Sequence, residues 1–353
     1  MGLASVEEAI LQIAAGGFVI VVDDEDRENE GDLIIAAEKA TPASIAFMVR
    51  HTSGLICAPC EPERLDALAL PLMVAANQEA HRCAYTISVD VRAGMTTGIA
   101  AAERARTLNA LADPNAVAED FVRPGHVIPL RYEPGGVLVR SGHTEAAVDL
   151  ARLAGLQPAG AICELVHDDG RMQRLPDLLA FGERHKLPVI SIEALIRYRA
   201  RHDVLVSELA RERVELGGQS FTVHVFQARF DERPILALVR GVIRAETPTL
   251  VRVIKGLPRR DLFASALTPG NPVHRTLELL TESAAGVLVY LPPDPPVADG
   301  PEAGGSVWRR VGLGSAVLSS LGVGRIHLLA SQELSFPGIA SFGLRIESLV
   351  KEA

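Results

Sequence analysis

The sequence predicts an α/β (α+β) protein of two domains, the first built on a mixed sheet. Three observations lead there. The chain has 353 residues, room for two domains of ordinary size that each bury a core. Apolar residues make up 48% against 22% charged, a soluble globular balance, and Leu, Val, Ile and Ala fill the core because aromatics reach only 4%. Strand-like and helix-like segments intermix through the first half, and a charged stretch, Arg197–Arg213, separates it from a second set of strands. Domains of 1–203 and 204–353 follow.

The elements read in order. Ser5-Val6-Glu7-Glu8 has the form of a capping box and opens a helix to about Ala15, closed by Gly16-Gly17. Phe18–Val22 and Leu33–Ala37 are apolar runs of strand length. Thr41-Pro42 starts a helix to about Arg50, with proline at the first helical position, where its missing N–H costs least. Leu55–Ala58, Tyr85–Val91, Val127–Leu130 and Ala161–Val166 read as strands. Ala100–Ala112, Glu145–Leu153 and Leu175–His185 read as helices, and the strand Pro188–Ile192 runs into a helix, Glu193–Ala200. In the second half, Phe221–Gln227, Ile235–Arg240 and Leu250–Ile254 are strands and Leu291–Gly305 is a Pro/Gly-rich loop. Gly314–Leu321 looks helical and Arg325–Leu329 a strand. No internal repeat relates the halves.

A formal charge of −9 argues against generic nucleic-acid affinity, so a phosphate-bearing substrate needs a local basic pocket. Met1–Ala15 is acidic and amphipathic, unlike a signal peptide, and no apolar run approaches the roughly 20 residues of a membrane span. A cytoplasmic protein with free thiols is expected. Cys57 and Cys60 form a lone CxxC; zinc there would need His81 and Cys83 as well, and buried thiols are the simpler reading.

Four segments carry the chemistry. Residues 23–32 (DDEDRENEGD) put seven carboxylates and one arginine between two strands. Such acids repel one another unless a cation gathers them, which suggests a hard divalent metal; a solvated acidic turn is the alternative. A calcium loop starting at Asp26 fails, because its twelfth position is Ala37 where a bidentate Glu is required. Arg123-Pro124-Gly125-His126 reads as a turn ahead of a strand, with His126 either a general base or a structural histidine. Arg140-Ser141-Gly142-His143-Thr144-Glu145 leads from an expected strand, Gly136–Arg140, into a helix. Its exposed N–H groups, with Arg140 and Thr144, suit a phosphate, while His143 could ligate a metal and Thr144 could cap the helix. Glu164 interrupts an apolar strand, either at a solvated end or buried as an acid/base group. Thr96-Thr97-Gly98 offers a further small anion turn.

Taken together, these segments resemble 3,4-dihydroxy-2-butanone-4-phosphate synthase of riboflavin biosynthesis. The matching pieces are DDEDRENEGD at 23–32, TTG at 96–98, RPGHVIPL at 123–130, RSGHTEAAVDL at 140–150 and CELVHDDG at 163–170. The resemblance implies conversion of ribulose 5-phosphate to the four-carbon phosphate and formate with Mg²⁺ or Mn²⁺, two ions per site. It implies Glu28 and His143 as metal ligands, and Arg27, Glu28, Asp32 and Glu164 as sugar-binding positions, with Asp32 the base at C3. Thr97, Arg140, Ser141, Gly142, His143 and Thr144 match the substrate phosphate cradle, and His126 and Glu164 match positions essential for proton transfer. A homodimer with active sites at the subunit interface is expected, with no nucleic-acid or membrane partner. A non-catalytic sugar-phosphate-binding regulator is the rival from another class.

The second half resembles a GTP cyclohydrolase II domain through Ala237–Gly241, Val251–Val253 and Gly314–Ala330. That enzyme holds zinc with three cysteines just after the VRV strand; here the stretch reads IKGLPRRDLFASALTPGN, and no cysteine follows Cys163. The arginine- and glycine-rich catalytic segment is likewise replaced, in or near the loop 291–305. Without zinc no hydroxide forms for attack on guanine, so this half is expected to be inactive in that reaction; a bifunctional enzyme that also hydrolyses GTP is the alternative.

Overall fold

The computed structural model describes residues 2–24, 27–79, 81, 83–216, 218–229, 231–255, 272–293, 305–330 and 339–351. The chain divides into two compact units, Met1–Ile196 and Arg197–Ala353. Each holds a seven-stranded sheet that mixes parallel and antiparallel pairs.

In the first unit, α1 (Val6–Ala14) starts at the expected box: Ser5 accepts from the Glu8 N–H, and Glu8 accepts from the Ser5 N–H. The strands are β1 (Val19–Val22), β2 (Gly31–Ala36), β3 (Cys57–Cys60), β4 (Val89–Val91), β5 (Phe121–Arg131), β6 (Gly160–Glu164) and β7 (Val189–Ser191), in the order β4-β5-β3-β6-β2-β1-β7. Between them run α2 (Pro42–His51), α3 (Pro62–Ala67), α4 (Ala101–Ala112), α5 (His143–Leu153), α6 (Leu175–His185) and α7 (Ile192–His202). Every residue of β1 and β2 is buried, which is why both read as continuous apolar runs instead of alternating. Each fully buried Val, Ile or Leu there contributes about 1.5–3 kcal/mol.

Three expectations are corrected here. Gly136–Arg140 is not a strand; Gly136–Leu138 is a 3-10 turn entered through Gly135 in the left-handed region (φ 104°). Helix α5 begins at His143, two residues early, with Gly142 and not Thr144 as its N-cap. Arg123–His126 is no turn ahead of a strand but an irregular stretch inside β5. The ladder to β4 pairs Val89 with Val127 and Asp90 with Val122, so residues 123–126 bulge out. Pro124, preceded by a cis peptide bond, has no N–H to donate to a ladder.

The second unit contains β8 (Val206–Leu216), β9 (Gln219–Ala228), β10 (Asp231–Gly241), β11 (Pro248–Lys255), β12 (Ala285–Leu291), β13 (Arg325–Ala330) and β14 (Arg345–Lys351), with α8 (Pro272–Glu282) and α9 (Gly305–Ser320). The sheet order is β14-β13-β11-β12-β10-β9-β8. The supposed connection 197–213 is thus largely structured, as the end of α7 and an edge strand. Its exposed charges are what an unpaired edge needs to avoid sheet-to-sheet association. The expected loop 291–305 begins as the last residue of β12 and ends as the first of α9; its residues 294–304, like 256–271 of the cysteine-free segment, lie outside the described residues.

Candidate active site

The acidic loop joins two paired strands, since Val22 sits opposite Gly31. Asp23 organises it from within: Oδ1 accepts from the Glu30 N–H at 2.8 Å, and Oδ2 accepts from the Glu28 N–H at 3.1 Å and from Arg27 Nη1 at 2.9 Å. Arg27 also donates to Glu28 Oε2 at 2.5 Å. From outside, Arg174 donates to the carbonyls of Glu28 and Asn29, and Asn29 adopts a left-handed conformation (φ 53°). Glu25 and Asp26 of this loop lie outside the described residues.

Opposite the loop, His143 opens α5. Its Nε2 lies 3.1 Å from the Val21 carbonyl, to which it can only donate. That fixes the tautomer of a neutral ring and turns the Nδ1 lone pair toward the carboxylates, 3.7 Å from Glu28 Oε2 and 3.9 Å from Asp32 Oδ1. Asp23, Glu28 and His143 each bring a ligand atom within 4.8 Å of the others. Burial would raise the Glu28 carboxyl, but the His143 contact and the Arg27 charge bring it down to about 2. Burial pushes the Asp32 carboxyl up to about 7, and Glu164, Glu28 and Glu30 add to this against the pull of His143. Burial would lower His143, yet Asp32 and Glu28 hold it up at about 9. Such basicity measures how negative the surroundings of Nδ1 are, and the same field favours a divalent cation.

Asp32 is buried, and its Oδ1 accepts no hydrogen bond. The antiparallel register of β2 and β6 sets Asp32 directly opposite Glu164. Glu164 accepts from the Ser53 hydroxyl at 2.5 Å. Glu164 is the half-buried last residue of β6, between the solvated end and the buried site that were its two readings.

The turn at 140–144 forms an anion-ready helix start. Gly142 offers no side-chain cap, so the first N–H groups of α5 remain free of one. Arg140 donates twice to the buried Glu145, at 2.9 and 3.0 Å, and once to the His81 carbonyl at 3.2 Å. A Cβ on Gly142 would stand 2.7 Å from Glu145 Oε2 and 3.5 Å from both Arg27 Nη2 and Arg140 Nη1, so the two guanidiniums flank the helix start beside the Glu145 carboxylate. Thr144 is buried behind it, and Ser141 is half-buried.

His126 stands apart from this group. No direct hydrogen bond or ion pair joins it to Glu28, Asp32 or His143 among the described residues. Its ring is exposed, and Nδ1 lies 2.6 Å from Asp90 Oδ2 while its N–H donates to Asp90 Oδ1 at 2.9 Å. The exposed Thr97 neighbours Gly98, which packs on this pair. Asp90, Arg174 and Glu103 (which accepts from Thr96 and Gly98) escaped the sequence reading. Asp90 and Arg174 act on partners distant in sequence, Glu103 on a turn five and seven residues before it, and single acids or arginines carry no local signal.

Cys57 and Cys60 lie three positions apart on β3, so their side chains leave opposite faces and cannot share one ion. All four cysteines are free, and burial pushes the Cys60 thiol up to about 12.

Comparison with known proteins decides the family. Residues 7–198 match the family model described as 3,4-dihydroxy-2-butanone 4-phosphate synthase, and 208–296 match GTP cyclohydrolase II. The chain belongs to the 3,4-dihydroxy-2-butanone 4-phosphate synthase family. Membership makes it an enzyme that forms 3,4-dihydroxy-2-butanone 4-phosphate. The riboflavin biosynthesis protein RibBA of Nocardia farcinica is 50% identical over 290 residues, 81% of this chain and 70% of that protein. RibBA of Rhodococcus jostii is 41% identical over 98% of this chain and 90% of its own. Among solved structures, RibBX of A. baumannii, titled a two-domain 3,4-dihydroxy-2-butanone 4-phosphate synthase, superimposes with a TM-score of 0.81 at 39% identity, covering 99% of this chain and 100% of that one. A synthase solved with two magnesium ions covers 56% of this chain and 98% of its own at 46% identity and a TM-score of 0.55. The synthase family match covers the first unit almost end to end.

Proposed function

We propose that the first unit converts D-ribulose 5-phosphate into 3,4-dihydroxy-2-butanone 4-phosphate and formate, a step of riboflavin biosynthesis, at the site built on residues 27–32 and 140–144. One observation carries this reading: His143 Nδ1 faces the carboxylates of Glu28 and Asp32 at the same helix start that Arg27 and Arg140 flank. Metal ligands and an anion cradle thereby lie within one sugar phosphate's length.

The donor set fits a hard divalent ion. A carboxylate held ionised and an imidazole with its Nδ1 in a negative field stand beside the buried Asp32 oxygen that accepts no hydrogen bond. Glu28 and His143 would hold Mg²⁺ or Mn²⁺, as two ions per site. When bound, the ion stabilises the negative charge that develops on oxygens next to the substrate carbonyl. The synthase crystallised with two magnesium ions supports a divalent metal.

The remaining work falls to the chain's own residues. Arg140 to Thr144, with Thr97, hold the phosphate through N–H groups and guanidinium. Arg27 binds the sugar hydroxyls. Asp32, raised toward neutrality, takes the C3 proton as the enediol forms. His126 and Glu164 exchange protons with the sugar as the C1 hydroxyl leaves as water and C4, after the skeleton rearranges, leaves as formate. Each such transfer contributes about 10²–10⁴ in rate. A cytoplasmic homodimer with interfacial sites belongs to this reading, supported by the exposed apolar run Leu72, Met73 and Val74 ahead of His81. No described helix is long and apolar enough to cross a membrane.

The second domain, from residue 204, is inactive in GTP hydrolysis on this reading, because no cysteine follows Cys163 to hold zinc. Formate release from ribulose 5-phosphate with Mg²⁺ tests the proposal. Turnover is expected to stop with EDTA and in Glu28→Ala, whose loop lies outside the core, with folding kept. Persistent absence of formate from the wild type sinks the enzyme reading, and full activity in Glu28→Ala shows the metal is elsewhere.

A further inference from the structure

Glu103 has no part in the roles above, yet it is only 6% exposed. It sits in the first turn of α4, whose N-cap, Ala100, offers no side-chain oxygen. Its carboxylate accepts from the Thr96 N–H, from the Thr96 hydroxyl at 3.0 Å and from the Gly98 N–H at 3.1 Å. These hydrogen bonds, led by the Thr96 N–H and joined by the backbone N–H of the N-cap residue Ala100, hold its pKa below the usual carboxylate range. One carboxylate thereby grips both neighbours of Thr97.

The far side of the same turn meets the histidine. Gly98 is in the left-handed region (φ 85°), and a Cβ there would lie 2.0 Å from Asp90 Oδ2 and 2.7 Å from His126 Nδ1. The turn backbone is therefore in close packing with the Asp90–His126 pair. A small displacement of Gly98 moves that pair or opens a gap behind it. Among the described ion pairs, the one charged partner of the Glu103 carboxylate is Arg106 at 3.9 Å.

We infer that Glu103 is a positioning residue of the synthase site: it fixes the Thr96–Gly98 turn so that Thr97 meets the substrate phosphate and Gly98 braces the Asp90–His126 pair. The inference rests on the roles proposed above for Thr97 and His126. A residue that merely caps α4 would affect stability alone. A positioning residue alters KM through Thr97 and kcat through His126 as well.

Glu103→Gln keeps the shape but turns an amide NH₂ toward N–H donors, so one grip is lost. The full-length enzyme with Mg²⁺ is expected to lose about 10²-fold in kcat, the scale on which small misplacements act. KM for ribulose 5-phosphate should rise, and the downfield imidazole N–H resonance of His126, read by NMR, should move. Asn109→Ala is the control on the same helix. It removes donors to the Ala37 and Ala40 carbonyls, at 2.8 and 3.1 Å, and should lower Tm while leaving kcat, KM and that resonance unchanged. Glu103→Gln with wild-type kinetics and resonance, and only a lowered Tm, overturns the inference. If Glu103→Gln fails to fold, Glu103→Asp, an ionised carboxylate one methylene short, carries the test under the same criteria. Full turnover in His126→Gln would strike the assignment of His126 itself, a separate failure.

Discussion

Asp90 controls what His126 is able to do. Both Asp90 oxygens are committed to it, one to the backbone N–H and one to Nδ1, so the imidazole is oriented and Nε2 is the nitrogen that the proposed proton transfers would use. Asp90→Asn would keep the shape while removing the charge that selects the tautomer. Its kcat for formate release is expected to fall about 10²-fold or more, with metal affinity unchanged; a wild-type rate would show that the pairing is structural. Residue types in the acidic loop and in 140–144 were legible because several informative residues crowd into each short segment, although His143 meets Val21, Glu28 and Asp32 across the fold. Asp90 meets His126 only because β4 pairs with a bulged β5, and Arg174 reaches the loop from the far end of the unit. A lone side chain that acts across the fold, with no informative neighbours beside it, leaves no pattern along the chain.

At the scale of elements, most helices and buried strands of the first unit were readable from apolar spacing, whereas α3, α8 and most boundaries were not. Strand β5 runs from Phe121 to Arg131, whereas the pattern marked only 127–130, because Pro124 and Gly125 hide a strand that tolerates a bulge. Helices α2 and α6 meet through a cluster no periodicity foretells: Phe47, His51, Phe181 and His185, with the two imidazole centroids 5.3 Å apart. Burial lowers the pKa of His51, and His185 and Arg50 add to the effect against Asp168; burial and Arg184 lower that of His185. The unfolded chain, with ordinary histidines near 6.5, then binds more protons than the folded one as pH falls below that value. Stability contributed by the pair is present above pH of about 6.5 and is lost on acidification through the lowered values. Thermal melts should show Tm dropping between pH 7 and pH 5, and His51→Phe with His185→Leu should flatten that part of the profile. An unchanged slope in the double variant would remove the pair from the account.

For the whole molecule, the fold class and the presence of two units were legible because each half carries enough apolar strands for its own sheet. The second sheet was only partly read. Strand β8 is an edge with mostly exposed side chains, so its sequence looks like a linker, and β12, wholly buried, lay unmarked just ahead of the Pro-rich stretch. Asp203 follows the last residue of α7, so a 1–203 fragment keeps that helix entire. Such a fragment is expected to release formate at about the full-length rate, while the full chain should hydrolyse no GTP with added zinc. Loss of activity on truncation would make the second unit necessary to the first, and zinc-dependent GTP hydrolysis would make the protein bifunctional.

The pairing of Val22 with Gly31 has a consequence for descent. Residues 23–30 are tied at both ends to one backbone ladder, and Gly31 is followed at once by Asp32, itself locked opposite Glu164. With Asp32 held by its ladders to β1 and β6, an insertion or deletion there must be absorbed within the loop, which moves Glu28 relative to His143. The length of this loop is therefore under a tighter geometric constraint than the acids in it that make no such contact. A genome-derived relative with a loop of another length should be suspected of having left this chemistry.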